Sequence, residues 1–247
     1  MDESTPRSLL TGYQPLYAQV KDSLVKRIGS GSWKPGEMLP SETELAAEYQ
    51  VSQGTVRKAL MALEADRLIV RRQGRGTYVA RHSRDETLFQ FFRIVDLDNQ
   101  RLAPTSCVLS HRKQRASNEQ AARLNIEPGS MLHAIIRVRS LDQAPAIFER
   151  VFVPVALMPD LRVQANEVME EEMYVIYQEI FGISIARASE RIAAVSATSE
   201  EAKLLNLNTG APLLEIMRIA YDVNARAVEL RISRCNTDHA RYAAEVN

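Results

Sequence analysis

Residues 41–63 constrain this chain most. Ser41 and Glu44 stand at capping-box spacing, so the hydroxyl can accept a free helix N–H while the carboxylate reaches back to the cap. Leu45, Ala46 and Tyr49 give the helix that follows one apolar face. Gln50 and Val51 interrupt it, and Ser52 can cap a further helix with Val56, Leu60 and Leu63 inside. Two short helices joined by about three residues, the second capped by serine, read as a helix-turn-helix. Upstream, Leu16, Val20, Leu24 and Ile28 recur every fourth residue until Gly29 and Gly31, and Lys34-Pro35-Gly36 signals a turn. Downstream, 68–71 and 77–80 read as short strands around Arg72-Gln73-Gly74-Arg75-Gly76. Three helices and a hairpin with a basic tip make a winged helix. Gln53, Gly54, Arg57 and Lys58 lie opposite the apolar face of the third helix, where an amide and a guanidinium suit base edges and phosphates.

Charge follows the same division. The 247 residues carry 31 basic and 31 acidic side chains, a net charge of zero. Residues 13–82 hold 11 bases against 7 acids, whereas 83–247 hold 19 against 22. The neutral total hides a basic module joined to an acidic one. Cys107 and Cys235 are too few for a disulfide framework, which fits a reducing cytoplasm. No apolar run approaches the length of a membrane helix, and the polar, acid-bearing first ten residues do not read as a signal peptide.

The first module resembles the GntR family of bacterial transcription regulators over 13–80. The resemblance is carried by Pro15-Leu16-Tyr17, Pro35-Gly36, Leu39-Pro40-Ser41-Glu42, Leu45-Ala46, Val51-Ser52, Thr55-Val56-Arg57-Lys58-Ala59-Leu60 and the run from Arg71 to Val79. It implies operator contacts at Thr43, Ser52, Gln53, Gly54, Thr55, Arg57 and Gly74, with Arg75 beside them. Gln53 stands where the family often has arginine, and Arg67 where it usually has glycine.

The second half repeats itself. Residues 117–147 align without gaps on 198–228, with ten of 31 positions identical, among them Leu124/Leu205, Asn125/Asn206, Gly129/Gly210 and Arg137/Arg218. Each copy opens with a capping box, Ser117 to Gln120 and Thr198 to Glu201, then reads as a short helix, a glycine turn and an antiparallel hairpin. Two such units are expected to share one sheet. In the first, Ile136, Val138 and Ser140 point one way and Arg137 and Arg139 the other, with Glu149 on the return strand; the second offers Arg218 and Glu229. Spacing leaves two readings open. The arginines bind an anion in a sheet-lined cavity, or they form cross-strand pairs on a solvated face.

Arg137-Val138-Arg139, the Pro145 turn, Glu149, Pro154, Phe181-Gly182, Leu205-Asn206-Leu207, Gly210, Arg218, Asp222 and Glu229 resemble the UTRA effector domain of the HutC branch of the GntR family. That resemblance implies a chorismate-lyase-like fold, with Arg137, Arg139, Glu149 and Glu229 lining the ligand pocket. The family's Ser-Leu-Tyr reads Glu172-Met173-Tyr174 here, which retains Tyr174 for the pocket, and its Tyr-Arg reads Cys235-Asn236. Loss of that serine removes a hydroxyl suited to phosphate. The expected effector is a small anion, a sugar phosphate or an organic acid.

These readings predict an α+β chain: a polar tail over 1–12, a winged helix-turn-helix over 13–81, a linker over 82–88, and an antiparallel-sheet effector and dimerisation domain over 89–247. Glu170-Glu171-Glu172 reads as a solvated helix start, and Met169, Met173 and Ile176 as core or dimer contacts of that helix. His82, His111, His133 and His239 show no metal spacing, and no nucleophile elbow, Walker loop or dinucleotide fingerprint is present. No catalytic residue, metal or cofactor is expected. The function expected is a ligand-responsive repressor, dimeric on an inverted-repeat DNA operator in the cytoplasm. The alternatives are a DNA-binding protein without an effector and an enzyme acting on a small acid.

Overall fold

The structure is a computed structural model and describes residues 14–81, 83–169 and 171–244. The expected tail 1–12, Tyr13, His82 and Glu170 lie outside the described residues. Two compact units are present. One holds the described residues up to 81 with 178–186 and 222–226; the other holds 83–177, 187–221 and the chain from 227 onward.

The first unit contains α1 (Leu16–Gly29), α2 (Glu42–Tyr49), α3 (Gln53–Ala65) and the hairpin β1 (Ile69–Arg72) and β2 (Gly76–Val79). Both helix starts form as their spacing predicts. Ser41 Oγ accepts the Glu44 N–H and Glu44 returns a carboxylate oxygen to the Ser41 N–H at 2.8 Å; Ser52 Oγ accepts the Thr55 N–H at 3.1 Å. Val20, Leu24, Leu45, Val56, Leu60 and Leu63 are the core, while Leu16, expected inside, is half-exposed. Trp33, which the apolar periodicity does not reveal, is buried with the Arg27 guanidinium 3.9 Å over its ring. Arg67 turns the chain from α3 into β1 at φ 58. The left-handed turn is therefore kept without glycine, at a conformational cost of about 1–2 kcal/mol.

The second unit is built on a seven-stranded sheet in the order β7-β4-β5-β6-β10-β9-β8. Its strands are β4 (Thr105–Arg115), β5 (Met131–Leu141), β6 (Ala144–Pro154), β7 (Val168–Met169), β8 (Ile185–Ser196), β9 (Pro212–Asp222) and β10 (Ala227–Cys235). A two-stranded ribbon pairs β3 (Ile94–Val95) with β11 (Arg241–Tyr242). The repeat is visible at once: β4-β5-β6 and β8-β9-β10 are mirrored in order and meet at the antiparallel β6–β10 pair. Each repeat inserts a capped helix, α5 (Asn118–Leu124) or α7 (Ser199–Leu205), ended by a left-handed asparagine, Asn125 at φ 51 and Asn206 at φ 56. Gly129 and Gly210 follow at φ 80 and 86, so four of the repeated residues are identical because the backbone there needs a left-handed residue. The helices cross over. α5 packs on β10 and α7 on β6, which ties each repeat to the other through Ala121, Leu124 and Leu230 on one side and Ala202, Leu205 and Phe148 on the other.

Helix α4 (Arg84–Phe91) covers most of the expected linker and turns Thr87 and Phe91 inward. One expectation is corrected. The helix expected around 169–176 is α6 (Met173–Phe181), and Met169 lies instead in β7, paired with Ser106 of β4.

One polar chain is part-buried beside the first repeat. The Val163 N–H donates to His111 Nδ1 at 3.3 Å, so His111 carries its proton on Nε2, facing His133 Nδ1 at 2.9 Å. His133 then donates from Nε2 to the Met158 carbonyl at 2.8 Å. Burial pushes both rings below their ordinary pKa, and the neutral pair uses every ring nitrogen.

Candidate functional site

The outer face of α3 and the wing tip form the candidate nucleic-acid surface. Gln53, Gly54 and Arg57 are exposed at the start of α3, and Gln53 Nε2 donates to Thr43 Oγ1 at 3.2 Å, which fixes the two helix starts together. Ser52 and Thr55 are occupied with the cap, their hydroxyls 2.9 Å apart. Arg57 reaches sideways, its Nε donating to Glu42 at 2.9 Å, with Arg71 also within 3.6 Å of that carboxylate. Gly74 and Gly76 turn the wing at φ 70 and 111, and Arg75 sits exposed between them with its carbonyl accepting the Tyr78 hydroxyl at 2.9 Å. Thr43, Gln53, Gly54 and Arg57 thus share one surface, and Arg75 and Gly74 form a separate tip. Sequence reading missed Glu42, although its place one residue after the Ser41 cap sets it beside α3.

The second candidate site is the sheet face opposite α5 and α7. Arg137, Arg139, Glu149 and Glu229 are all buried, with Arg137 0% and Glu229 0% exposed, so the solvated cross-strand pair is excluded. Arg137 faces Glu149 in register and donates to it from Nε at 2.6 Å; Ser233 donates to the other oxygen at 2.7 Å. Burial alone would raise the Glu149 carboxyl, but Arg137, Arg231 and Arg139 hold it well below the carboxylate range. Glu229 accepts Arg231 through both oxygens, at 3.0 and 2.9 Å, and the hydroxyls of Tyr174 and Tyr177 at 3.1 and 2.7 Å. Burial, with the Glu229 charge beside it, pushes the Tyr174 phenol up to about 12. Arg139 pairs with Glu172 at 2.5 Å, so Glu172 is not the solvated helix start that the acidic run suggests. Burial and the neighbouring Arg137 bring the Arg139 guanidinium down to about 10, against the pull of Glu172. Arg139, Glu172, Tyr174, Arg231 and Thr87 border a cavity of about 20 Å³, room for little more than one water.

Arg218 departs from the arrangement expected of the second repeat. Both hairpins shift by one residue near the turn, between Arg139 and Ser140 in the first and between Ala227 and Glu229 in the second, and in the second Arg218 faces Arg231 and Glu229 faces Ala220. Arg218 takes its carboxylate from β8, donating to Glu190 at 2.6 Å, and also bonds the Phe91 carbonyl. Among the described residues, no group of three or more His, Cys, Asp or Glu side chains could hold a metal, and no helix is long and apolar enough to cross a membrane.

Comparison with known proteins identifies both domains. Residues 16–79 match the family described as bacterial regulatory proteins, gntR family, and 99–241 match the UTRA domain. The chain belongs to the GntR family. Among curated GntR relatives, it is 33% identical over 232 residues to the mannosyl-D-glycerate transport/metabolism system repressor MngR of Escherichia coli, covering 94% of this chain and 95% of that one. It is 32% identical over 229 residues to the histidine utilization repressor of Pseudomonas putida, covering 92% and 91%. The ligand-binding domain of a GntR-family regulator from Bordetella bronchiseptica superposes with a TM-score of 0.60 at 28% identity, covering 64% of this chain and 98% of that one. PhnF from Mycobacterium smegmatis does so at 0.56 and 25%, covering 92% and 99%. These relatives are regulators, and this GntR chain is a transcription regulator with a winged helix-turn-helix and a UTRA domain rather than an enzyme.

Arg231, Ser233, Tyr177, Glu172 and Glu190 complete the charged face but were not among the site residues read from the sequence. Alternation along β10 could have found two of them, since Glu229, Arg231 and Ser233 fall on one side of the strand.

Proposed function

We propose that this regulator is a repressor that binds an inverted-repeat operator as a dimer and is released by a small anion seated on the arginine-lined face of the UTRA domain. The observation that carries the reading is a buried face with guanidinium donors left over. Arg137 Nη2 and Arg139 Nε have no hydrogen-bond partner among the described residues, although both side chains are fully enclosed. Buried donors without partners are expensive, and an oxyanion with several lone pairs satisfies them. The systems named for two relatives, mannosyl-D-glycerate and histidine utilization, both concern molecules with a carboxylate, which supports the same class.

On the DNA side, two copies would place their α3 helices about 34–36 Å apart in successive major grooves. β8 ends the sheet and exposes Ile192, Ala193 and Ala194, a surface suited to a second copy. An anion that binds the DNA-incompetent state more tightly shifts the equilibrium by a coupling of about 1–3 kcal/mol.

The test is an operator mobility shift with Arg57→Ala. Affinity for the specific site should fall by roughly 10- to 100-fold, from loss of about 1–3 kcal/mol of base discrimination, with the thermal midpoint unchanged. Unaltered affinity and base preference would remove Arg57 from the interface.

A further inference from the structure

The four arginines of the sheet face differ in how their carboxylates are anchored. Glu149, Glu229 and Glu190 sit on β6, β10 and β8, held by strand ladders. Glu172 does not. It stands just before α6, where its carbonyl accepts the Val175 and Ile176 N–H groups at 3.0 and 3.2 Å. Its carboxylate can therefore leave without breaking the sheet.

Arg139 also uses its carboxylate poorly. Arg231 spends the Nε and Nη2 of one guanidinium edge on the two oxygens of Glu229. Arg139 gives Glu172 only Nη2, and Nε on the same edge is the orphan donor. The Thr87 hydroxyl, bordering the same cavity, is a second buried group without a partner among the described residues. The cavity is too small for a carboxylate or phosphate beside Glu172, but the space that the Glu172 carboxylate fills suits one.

We infer that Glu172 is an internal stand-in for the effector's oxyanion, which takes the Nε and Nη2 edge of Arg139, bonds Thr87 and displaces the Glu172 carboxylate. The inference rests on the reading of this face as the effector site. The exchange keeps the buried guanidinium paired throughout, since one anion replaces another. Competition with Glu172 lowers the affinity for bare anions, so only a ligand with further contacts succeeds. Departure of Glu172 also loosens the start of α6, which carries Tyr174 against Glu229.

The test compares the full chain with Glu172→Gln, using inorganic phosphate and acetate as probes and the thermal midpoint as readout. Glu172→Gln should bind one of the two at least about tenfold more tightly than the wild type, and adding Arg139→Gln should abolish the gain. The anion that responds distinguishes phosphate from carboxylate. Equal affinities in wild type and Glu172→Gln for both anions overturn the stand-in. Should Glu172→Gln fail to fold, hydrogen exchange at the Val175 and Ile176 amides of the wild type replaces it. Exchange should quicken as the anion saturates, and unchanged exchange at saturation overturns the inference. Operator binding indifferent to the anion in Glu172→Gln, with the tighter anion binding retained, removes the effector reading and leaves the displacement standing.

Discussion

The two halves of the UTRA sheet share a scaffold and differ in chemistry. Both have the capped helix, the left-handed asparagine, the glycine turn and an arginine at the matching place, Arg137 or Arg218. In the first half that arginine faces Glu149 across the hairpin; in the second it faces Arg231, one place beyond Leu230, the residue that matches Glu149 in the repeat. A one-residue difference in register thus makes an asymmetric charged face from two like hairpins. The repeat supplies the frame, and the register decides which groups meet.

The largest expected effect breaks the comparison at the arginines. Arg137→Met leaves Glu149 buried beside a lost partner and should cost about 3–5 kcal/mol in chemical unfolding. Arg218→Met should cost less, about 1–3 kcal/mol, since the Glu190 side chain is 15% exposed against 4% for Glu149. Equal losses would show that the two arginines are held alike.

The asparagines sharpen what is common to the halves. Asn125→Ala and Asn206→Ala should each lose about 1 kcal/mol, because alanine tolerates positive φ poorly. The two values should agree within about 0.5 kcal/mol, and a wider gap would mean that the helix ends are not equivalent.

The smallest effect concerns the histidine pair, which only the first half has. At the same offset, the second half carries Ile192 and Leu214 in place of His111 and His133. Both rings titrate below the ordinary value of 6.5 in the folded chain, so protonation favours the unfolded state. Stability should be complete above pH 6.5 and decline as pH falls below it. Denaturation midpoints between pH 7 and 5 should slope in the wild type and flatten in the His111→Ile, His133→Leu double variant.

Much of this was legible because it is local. Caps, turns and strand alternation are written over three or four residues, and Ser41, Ser52, Ser117, Thr198, Arg137 and Arg139 behave as their spacing requires. The partners of Arg139 and Arg218 were not legible, since Glu172 and Glu190 lie 33 and 28 residues away and are brought in by α6 and β8. The two bulges have no glycine to mark them, and Ala146 and Val228 are ordinary strand residues that happen to be extra. Helix α4 was not legible because its first four residues are polar and its apolar residues, Leu88, Phe89 and Phe91, are too few to set a helical period.

Glu42 has a further consequence for how the winged helix would meet DNA. Arg57 is already neutralised by that carboxylate, and Arg71 shares it. A phosphate or base that draws Arg57 away must also leave Glu42 facing the polyanion, so this arginine releases less than a full counterion on binding. The dependence of operator affinity on salt should then be shallower than a tally of the basic residues suggests, and Glu42→Gln should steepen it by roughly one ion.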